Sequence, residues 1–185
     1  MVKPIFALKA NEVGNTYNLM TMTMKGGYSI QWRVYNDAVA YRFITSLKGD
    51  IMVKAEDCTL QLTKDTRLTL QQPHGFKTSC EELYSNVQSQ LWSSKDKMSE
   101  LPIVIVGEKQ KVLLSEFDLF DYPGMFFKGN GDNSLNAIHP SVPLTFGDDG
   151  DRSVKIETEA DYIAKTSGTR SFPWRFLYIT QDDKQ

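Results

Sequence analysis

The sequence predicts an all-β fold, an antiparallel β-sandwich or barrel in a single domain spanning residues 1–185. Three observations lead to this prediction. Apolar side chains alternate with polar ones along most of the chain, turn residues separate these short runs at regular intervals, and only one segment is spaced like a helix. A chain of 185 residues is long enough to bury one core of its own.

The first half of the chain contains the clearest strands. Residues 18–24 place three methionines on one face and two threonines on the other, and residues 29–35 alternate in the same way around Trp32. Asn36-Asp37 predicts a turn, because the side chains of both residues can form hydrogen bonds with their own backbone. Further alternating segments are 39–44, 51–55, 60–62, 68–70 and 154–156. We expect turns at Gly26-Gly27, Gly107-Glu108 and residues 148–150.

One segment is spaced like a helix. From Ser79 to Trp92, Leu83, Val87 and Leu91 recur every four residues, and two glutamates lie near its start. The sequence therefore predicts a helix here, interrupted by serine and asparagine.

Composition excludes several classes of protein. The formal net charge is −2, and no clustered basic stretch of the kind that binds nucleic acid is present. The longest apolar runs are far too short to span a bilayer. The first residues do not resemble a signal peptide, so the chain is either cytoplasmic or separated from its native start. Cys58 and Cys80 could pair, but their spacing does not decide it.

No catalytic constellation can be nominated from spacing alone. The two histidines, His74 and His139, lie next to Gly or Pro and are interpreted as surface loop residues rather than general acids. Residues 148–151 carry three aspartates but lack the later ligands of an EF-hand, so they are interpreted as a solvated turn.

Glu116 has two interpretations of about equal weight on local grounds. A predicted strand, residues 111–114, ends just before it, and Pro123-Gly124 turns the chain just after it. In the structural interpretation Ser115 caps one helical turn with Asp118 reaching back. In the functional interpretation the carboxylate of Glu116 belongs to a site.

Four segments together resemble glycoside hydrolase family 97, a family of α-glucosidases and α-galactosidases. They are Trp32 to Phe43 (WRVYNDAVAYRF), Leu101-Pro102, Ser115 to Met125 (SEFDL, then DYPGM) and Thr166 to Arg175 (TSGTRSFPWR). Their order and spacing also match. Two positions depart from the family pattern: Ala38 replaces a glycine after Asn-Asp, and Phe117 replaces an alanine beside Glu116.

The resemblance implies a particular fold for this chain and a separate catalytic domain. The matching part of the family is an N-terminal super-sandwich similar to galactose mutarotase, and a (β/α)8 barrel with the catalytic glutamates follows it. This chain ends ten residues after Arg175. We therefore expect it to lack the barrel, the opening strands and the secretion signal. The family also implies a periplasmic or secreted location in a Gram-negative bacterium.

The resemblance further implies that Glu116 is lent to a calcium ion that the barrel completes, with no catalytic residue in this chain. Calcium takes six to eight oxygen ligands, so Glu116 alone would bind it weakly. Two alternatives remain open. A free-standing carbohydrate-binding module would present Trp32, Trp92 and Trp174 as an open cluster, and a mutarotase-type epimerase would need His74 or His139 as its acid. If opening strands are missing, an exposed sheet edge should be covered by a second chain, giving a homodimer.

Overall fold

The computed structural model describes residues 1–7 and 9–183, and it forms fourteen β-strands. The strands in the first half are β1 Asn18–Met24, β2 Tyr28–Val34, β3 Ala38–Val53, β4 Thr59–Gln61, β5 Arg67–Gln71, β6 Tyr84–Gln88 and β7 Ile103–Val106. Those in the second half are β8 Lys111–Phe117, β9 Phe126–Gly129, β10 Ser134–Ile138, β11 Pro143–Asp148, β12 Val154–Glu159, β13 Ala164–Ser171 and β14 Trp174–Thr180. No helix is present among these described residues, and none that could cross a membrane.

A nine-stranded antiparallel sheet forms the larger layer. Its order is β1-β2-β3-β14-β8-β7-β5-β6, and β13 also pairs with β3. Strand β3 has 16 residues, so its first part pairs with β14 and its second part with β13. The break between these two partners falls at Phe172-Pro173, where proline has no N–H to give to a ladder.

A smaller sheet covers part of this layer and makes the fold a sandwich. Its order is β4-β10-β9, and a separate hairpin consists of β11 and β12. Apolar residues from both sheets and from the connecting loops form the main buried cluster: Leu68, Leu70, Trp92, Ile103, Ile105, Leu114, Met125, Phe127 and Leu135. A second cluster of Tyr122, Ile163, Ala164 and Phe172 packs against the second half of β3. The predicted antiparallel sandwich is confirmed.

The helix predicted for residues 79–92 is wrong. Its middle is strand β6, which pairs with β5 and aligns Val87 with Leu68. The four-residue spacing does not mark a buried helical face, because Leu83 is 90% exposed and Leu91 is 73% exposed. Sheet pairing against a buried leucine therefore outweighs a weak local helical pattern.

Three further boundaries differ from the prediction. The segments 39–44 and 51–55 belong largely to one strand, β3, which passes through Gly49 in the left-handed region (φ 68°). Strand β8 continues through Phe117, so the helical turn capped by Ser115 does not form. Ser115 is paired with Phe176 on β14 instead, and the ladder bonds replace the local cap. The predicted turns at 26–27 and 148–150 are confirmed, with positive φ at Gly26, Gly27 and Gly150.

Ala38 causes no strain at the position where the family has glycine. Asn36-Asp37 links β2 to β3 as a tight hairpin loop, closed by the Tyr35 N–H donating to the Ala38 carbonyl (2.8 Å). Ala38 is the first residue of β3, and its φ is not positive. No left-handed conformation, and hence no glycine, is needed there.

Candidate functional site

Glu116 lies on β8 directly opposite Arg175 on β14. The register of these two strands aligns Glu116 with Arg175, and the pairing of β14 with β3 aligns Arg175 with Tyr41. Side chains that are directly opposite in antiparallel strands point to the same face of the sheet. The three side chains therefore form one row across the middle of the larger sheet. The Arg175 Nη1 donates to Glu116 Oε2 in a direct ion pair.

Glu56 binds the same guanidinium from a second direction. It lies in the loop that follows β3, and its two carboxylate oxygens accept hydrogen bonds from Arg175 Nε and Nη2, each at 3.0 Å. The exposed fractions of the side chains are 2% for Arg175, 6% for Glu56 and 9% for Glu116. A buried guanidinium is tolerated only when its donors are paired.

The loop between β8 and β9 holds the other side of the Glu116 carboxylate. Its Oε1 accepts a hydrogen bond from the Met125 N–H at 2.9 Å. To return to this position the chain passes through Asp118 (φ 64°) and Asp121 (φ 49°), two residues in the left-handed region. Aspartate tolerates that conformation better than most residues. A Cβ on Gly124 would stand 3.4 Å from Glu116 Oε1, so the loop lies closely over the carboxylate.

The cluster carries two acidic groups against one basic group. Burial raises the pKa of Glu116, while Arg175 and the Met125 N–H oppose the rise and Glu56 adds to it. Burial acts to lower the pKa of Arg175, but Glu56 and then Glu116 outweigh it, so that pKa is raised. The guanidinium thus remains charged, and the net charge of the buried group is −1 when both carboxylates are ionised.

Aromatic and sulfur groups surround the cluster. Burial raises the pKa of Tyr122, and Glu56 raises it further as a neighbouring charge and hydrogen-bond partner. The Tyr41 hydroxyl donates to Cys58 Sγ at 3.3 Å. Burial lowers the pKa of His139, whose Nε2 is buried without a hydrogen-bond partner, and whose ring lies 6.3 Å from that of Tyr122. The interpretation of His139 as a surface loop residue is wrong, because the residue is half-buried beside this cluster.

The residues present fit one ligand of a calcium ion rather than a complete site. Within residues 1–7 and 9–183, no group of three or more His, Cys, Asp or Glu side chains could hold a metal. Glu116 accepts one hydrogen bond on each oxygen. A carboxylate has about four lone-pair positions, so two remain for a cation. Calcium needs six to eight oxygens, and the others would have to come from outside this part of the chain.

Phe117 does not crowd Glu116, although it replaces a smaller residue of the family pattern. Successive side chains of a strand point to opposite faces, so Phe117 lies on the outer face of β8. There its ring stacks on Trp174 (centroids 6.1 Å apart) and contacts Phe176 (5.8 Å).

The other predicted positions lie apart from this site. His74 is exposed and its Nε2 lies 3.0 Å from Lys97 Nζ, as expected of a surface loop. Cys58 and Cys80 are both free thiols. In the turn at 148–151, Asp149 pairs with Lys77 at 3.0 Å.

The three tryptophans do not form the open cluster that a free-standing carbohydrate-binding module would need. Trp92 and Trp174 are both fully buried. Trp92 Nε1 donates to the Lys97 carbonyl at 3.1 Å, and Trp174 is covered by the guanidinium groups of Arg33 (4.3 Å) and Arg42 (4.5 Å). Trp32 is half-buried against Tyr41.

Sequence reasoning did not identify Glu56 as part of the site. It stands in an irregular loop 60 residues before Glu116, between Ala55 and Asp57, without any motif around it. Arg175 stood inside a recognised motif, but only the register of β14 against β8 shows what it contacts.

Comparison with known proteins identifies the family. The profile described as Glycosyl-hydrolase 97 N-terminal matches residues 3–185. A retaining alpha-galactosidase from Bacteroides thetaiotaomicron is 31% identical over 192 residues, covering 95% of this chain and 28% of that enzyme. The chain therefore spans little more than a quarter of this relative.

Solved structures show the same fold. A β-arabinopyranosidase superimposes with a TM-score of 0.69 at 19% identity, covering 91% of this chain and 28% of that one. A glycoside hydrolase family 97 enzyme from Pseudoalteromonas sp. strain K8, solved in complex with acarbose, gives 0.61 at 12% identity, covering 90% and 27%. With the profile match over nearly its whole length, this chain belongs to the Glycosyl-hydrolase 97 N-terminal family.

Proposed function

We propose that this chain is the non-catalytic N-terminal domain of an α-glycosidase and packs on a (β/α)8 barrel that carries the catalytic carboxylates. The family match and the named alpha-galactosidase support this proposal. The substrate of the whole enzyme would be an α-galactoside or an α-glucoside. The chain itself would contribute the nine-stranded sheet and the buried cluster of Glu56, Glu116 and Arg175.

One observation carries the non-catalytic assignment: Glu56 and Glu116, two carboxylates that the fold brings together, are both bound to Arg175. Glycoside hydrolysis needs two carboxyl groups flanking a sugar, separated by about 5–9.5 Å and free to act as acid, base or nucleophile. Glu56 and Glu116 instead share one buried guanidinium, which fills the space between them. No sugar can lie between these two groups.

A hydrolysis assay tests this assignment. The purified chain is incubated with aryl α-galactosides and aryl α-glucosides, beside its Glu116→Gln variant. We expect no release of the aryl group above the buffer blank from either protein. Hydrolysis by the wild type that disappears in Glu116→Gln would show a catalytic role and overturn the proposal.

We also propose that the carboxylate of Glu116 is one ligand of a calcium ion whose other ligands come from the barrel. The support is the pair of unused lone-pair positions on a carboxylate that is fixed by β8, Arg175 and the Met125 N–H. When bound, the ion would supply positive charge to the sugar site. This chain would hold the Glu116 oxygen in place and keep water away from it, since the side chain is buried.

Broadening of NMR signals by Mn²⁺ tests whether Glu116 binds the ion. Mn²⁺ takes oxygen ligands as Ca²⁺ does, and its unpaired electrons broaden nearby NMR signals. We expect Mn²⁺ to broaden the Met125 amide and Ca²⁺ to reverse the effect. The broadening should vanish in Glu116→Gln and persist in Glu157→Gln, which removes a carboxylate of β12. Broadening confined to the aspartates of residues 148–151 would contradict the proposal.

We propose a periplasmic or secreted location in a Gram-negative bacterium, in keeping with the family. Osmotic-shock fractionation of the native host with an antibody to this chain tests it. We expect the protein in the periplasmic or culture fraction, and recovery in the cytoplasm alone would contradict the proposal.

A further inference from the structure

Glu56 and Glu116 share Arg175 unequally. Glu56 accepts from Nε and Nη2, the two donors on one edge of the guanidinium plane, at 3.0 Å each. Glu116 accepts from Nη1 alone. Two parallel bonds to one carboxylate are the preferred arrangement of an arginine and fix the plane of its guanidinium. Glu56 therefore determines the orientation of Arg175.

The strand register places a second carboxylate, that of Glu116, where Arg175 could also donate two hydrogen bonds. Arg175 and Glu116 are directly opposite on β14 and β8, where side-chain carbons lie about 5 Å apart. Within that distance a guanidinium can turn to place two donors on the facing carboxylate. Because Arg175 is buried, donors released by Glu56 would have to find another acceptor, and Glu116 is the nearest carboxylate by register.

We propose that Glu56 is a positioning residue that holds Arg175 by two of its donors, so that Glu116 meets a single N–H and keeps lone pairs free for a cation. The functional consequence rests on the proposed calcium role of Glu116; the control of Arg175 by Glu56 does not. Without Glu56, Arg175 forms a two-bonded pair with Glu116 and competes with the metal ion.

The test is Glu56→Gln, with Asp57→Asn as its matched control. The control removes one negative charge from the adjacent residue, which is exposed. We expect the crystal structure of Glu56→Gln to show two Arg175 nitrogens bonded to Glu116, with Arg175 unchanged in Asp57→Asn. An Arg175 that keeps its present orientation in Glu56→Gln would overturn the proposal.

The effect of each variant on metal binding is measured as the apparent affinity for Mn²⁺, followed by broadening of the Met125 amide signal. We expect the apparent Mn²⁺ affinity to fall about 10-fold or more in Glu56→Gln, the usual effect of losing a residue that orients a ligand, and to stay within about twofold in Asp57→Asn. Equal losses in both variants would show a general charge effect and overturn the functional part. A rearranged Arg175 without metal binding in any variant supports the positioning role and contradicts the calcium proposal alone.

A wild-type measurement keeps the inference testable if Glu56→Gln does not fold. Arg175 labelled with ¹⁵N should show separate, slowly exchanging Hε and Hη signals, because three of its N–H groups are bonded. Through-bond couplings should connect Nε and one Nη to Glu56 rather than Glu116. Rapid averaging of all Nη protons would overturn the proposal.

Discussion

Arg175 connects three segments of the chain that are distant in sequence. It stands on β14, pairs with Glu116 on β8, and pairs with Glu56 in the loop after β3. The complete cluster of buried charges contributes little net stability to the fold, because the cost of desolvating the charges offsets most of their attraction. Removing only one member is different, since it leaves the others buried and unpaired.

Arg175→Met should therefore destabilise the fold by about 3–5 kcal/mol, the usual cost of an uncompensated buried charge. Urea unfolding followed by tryptophan fluorescence measures it. Arg152→Met, at a side chain that is 90% exposed, serves as the control and should change stability by less than about 0.5 kcal/mol. A loss of under about 1 kcal/mol in Arg175→Met would contradict the burial of the cluster.

His139 makes stability depend on pH. Burial lowers its pKa, so the folded chain binds fewer protons there than the unfolded chain. Its contribution is fully present above the unfolded pKa of about 6.5 and is lost as the pH falls toward the folded value. His139→Gln should therefore flatten the decline of stability below a pH of about 6.5. Thermal melts across this range measure it, and parallel pH curves for the two proteins would contradict the shift.

At the level of elements, β1 is an exposed edge of the larger sheet. Among the described strands it pairs with β2 alone, and its sequence NLMTMTM has neither charge nor proline. Its apolar side chains Leu19, Met20 and Met22 are all exposed. Edge strands usually carry charges, prolines or bulges that prevent pairing with another chain. An antiparallel pair of β1 strands from two copies would satisfy this edge.

We accordingly predict a homodimer through β1. Light scattering across a concentration series should show the mass of a dimer. Met22→Lys should give a monomer, because the charge lies within the pairing strand, while Leu144→Lys on the β11–β12 hairpin should leave the dimer intact. A wild type that stays monomeric at all concentrations, or a dimer that survives Met22→Lys, would contradict this interface.

The contact between the two sheets should dominate stability. Phe127 on β9 is fully buried, and Phe146 on β11 is exposed. Phe127→Ala should cost about 3–5 kcal/mol, the range for a buried aromatic. Phe146→Ala should cost about 0.5 kcal/mol or less, since a surface change leaves no cavity. Denaturant unfolding of both variants compares them directly, and similar losses would contradict the sandwich arrangement.

At the scale of the whole molecule, the sequence predicted the class of the fold because alternation along a strand is a local property. Residues 18–24 and 154–159 show it clearly, and both are strands. The spacing of residues 79–92 led to a wrong prediction of a helix. Leu83 and Leu91 are exposed, and the conformation of this segment is decided by its pairing with β5. Glu116 was singled out by a motif. Its contacts with Arg175 and Glu56 depend on strand register and on a loop conformation, which neighbouring residues in the sequence do not determine.

Calorimetric titration of the wild-type chain with calcium tests the central claim most directly. A chain that offers one carboxylate toward an ion that needs six to eight oxygens should bind calcium only weakly, no tighter than about 10⁻³ M. Micromolar binding that is lost in Glu116→Gln would mean that the chain holds a complete calcium site of its own. That result would contradict the account of Glu116 as a single ligand awaiting a catalytic barrel.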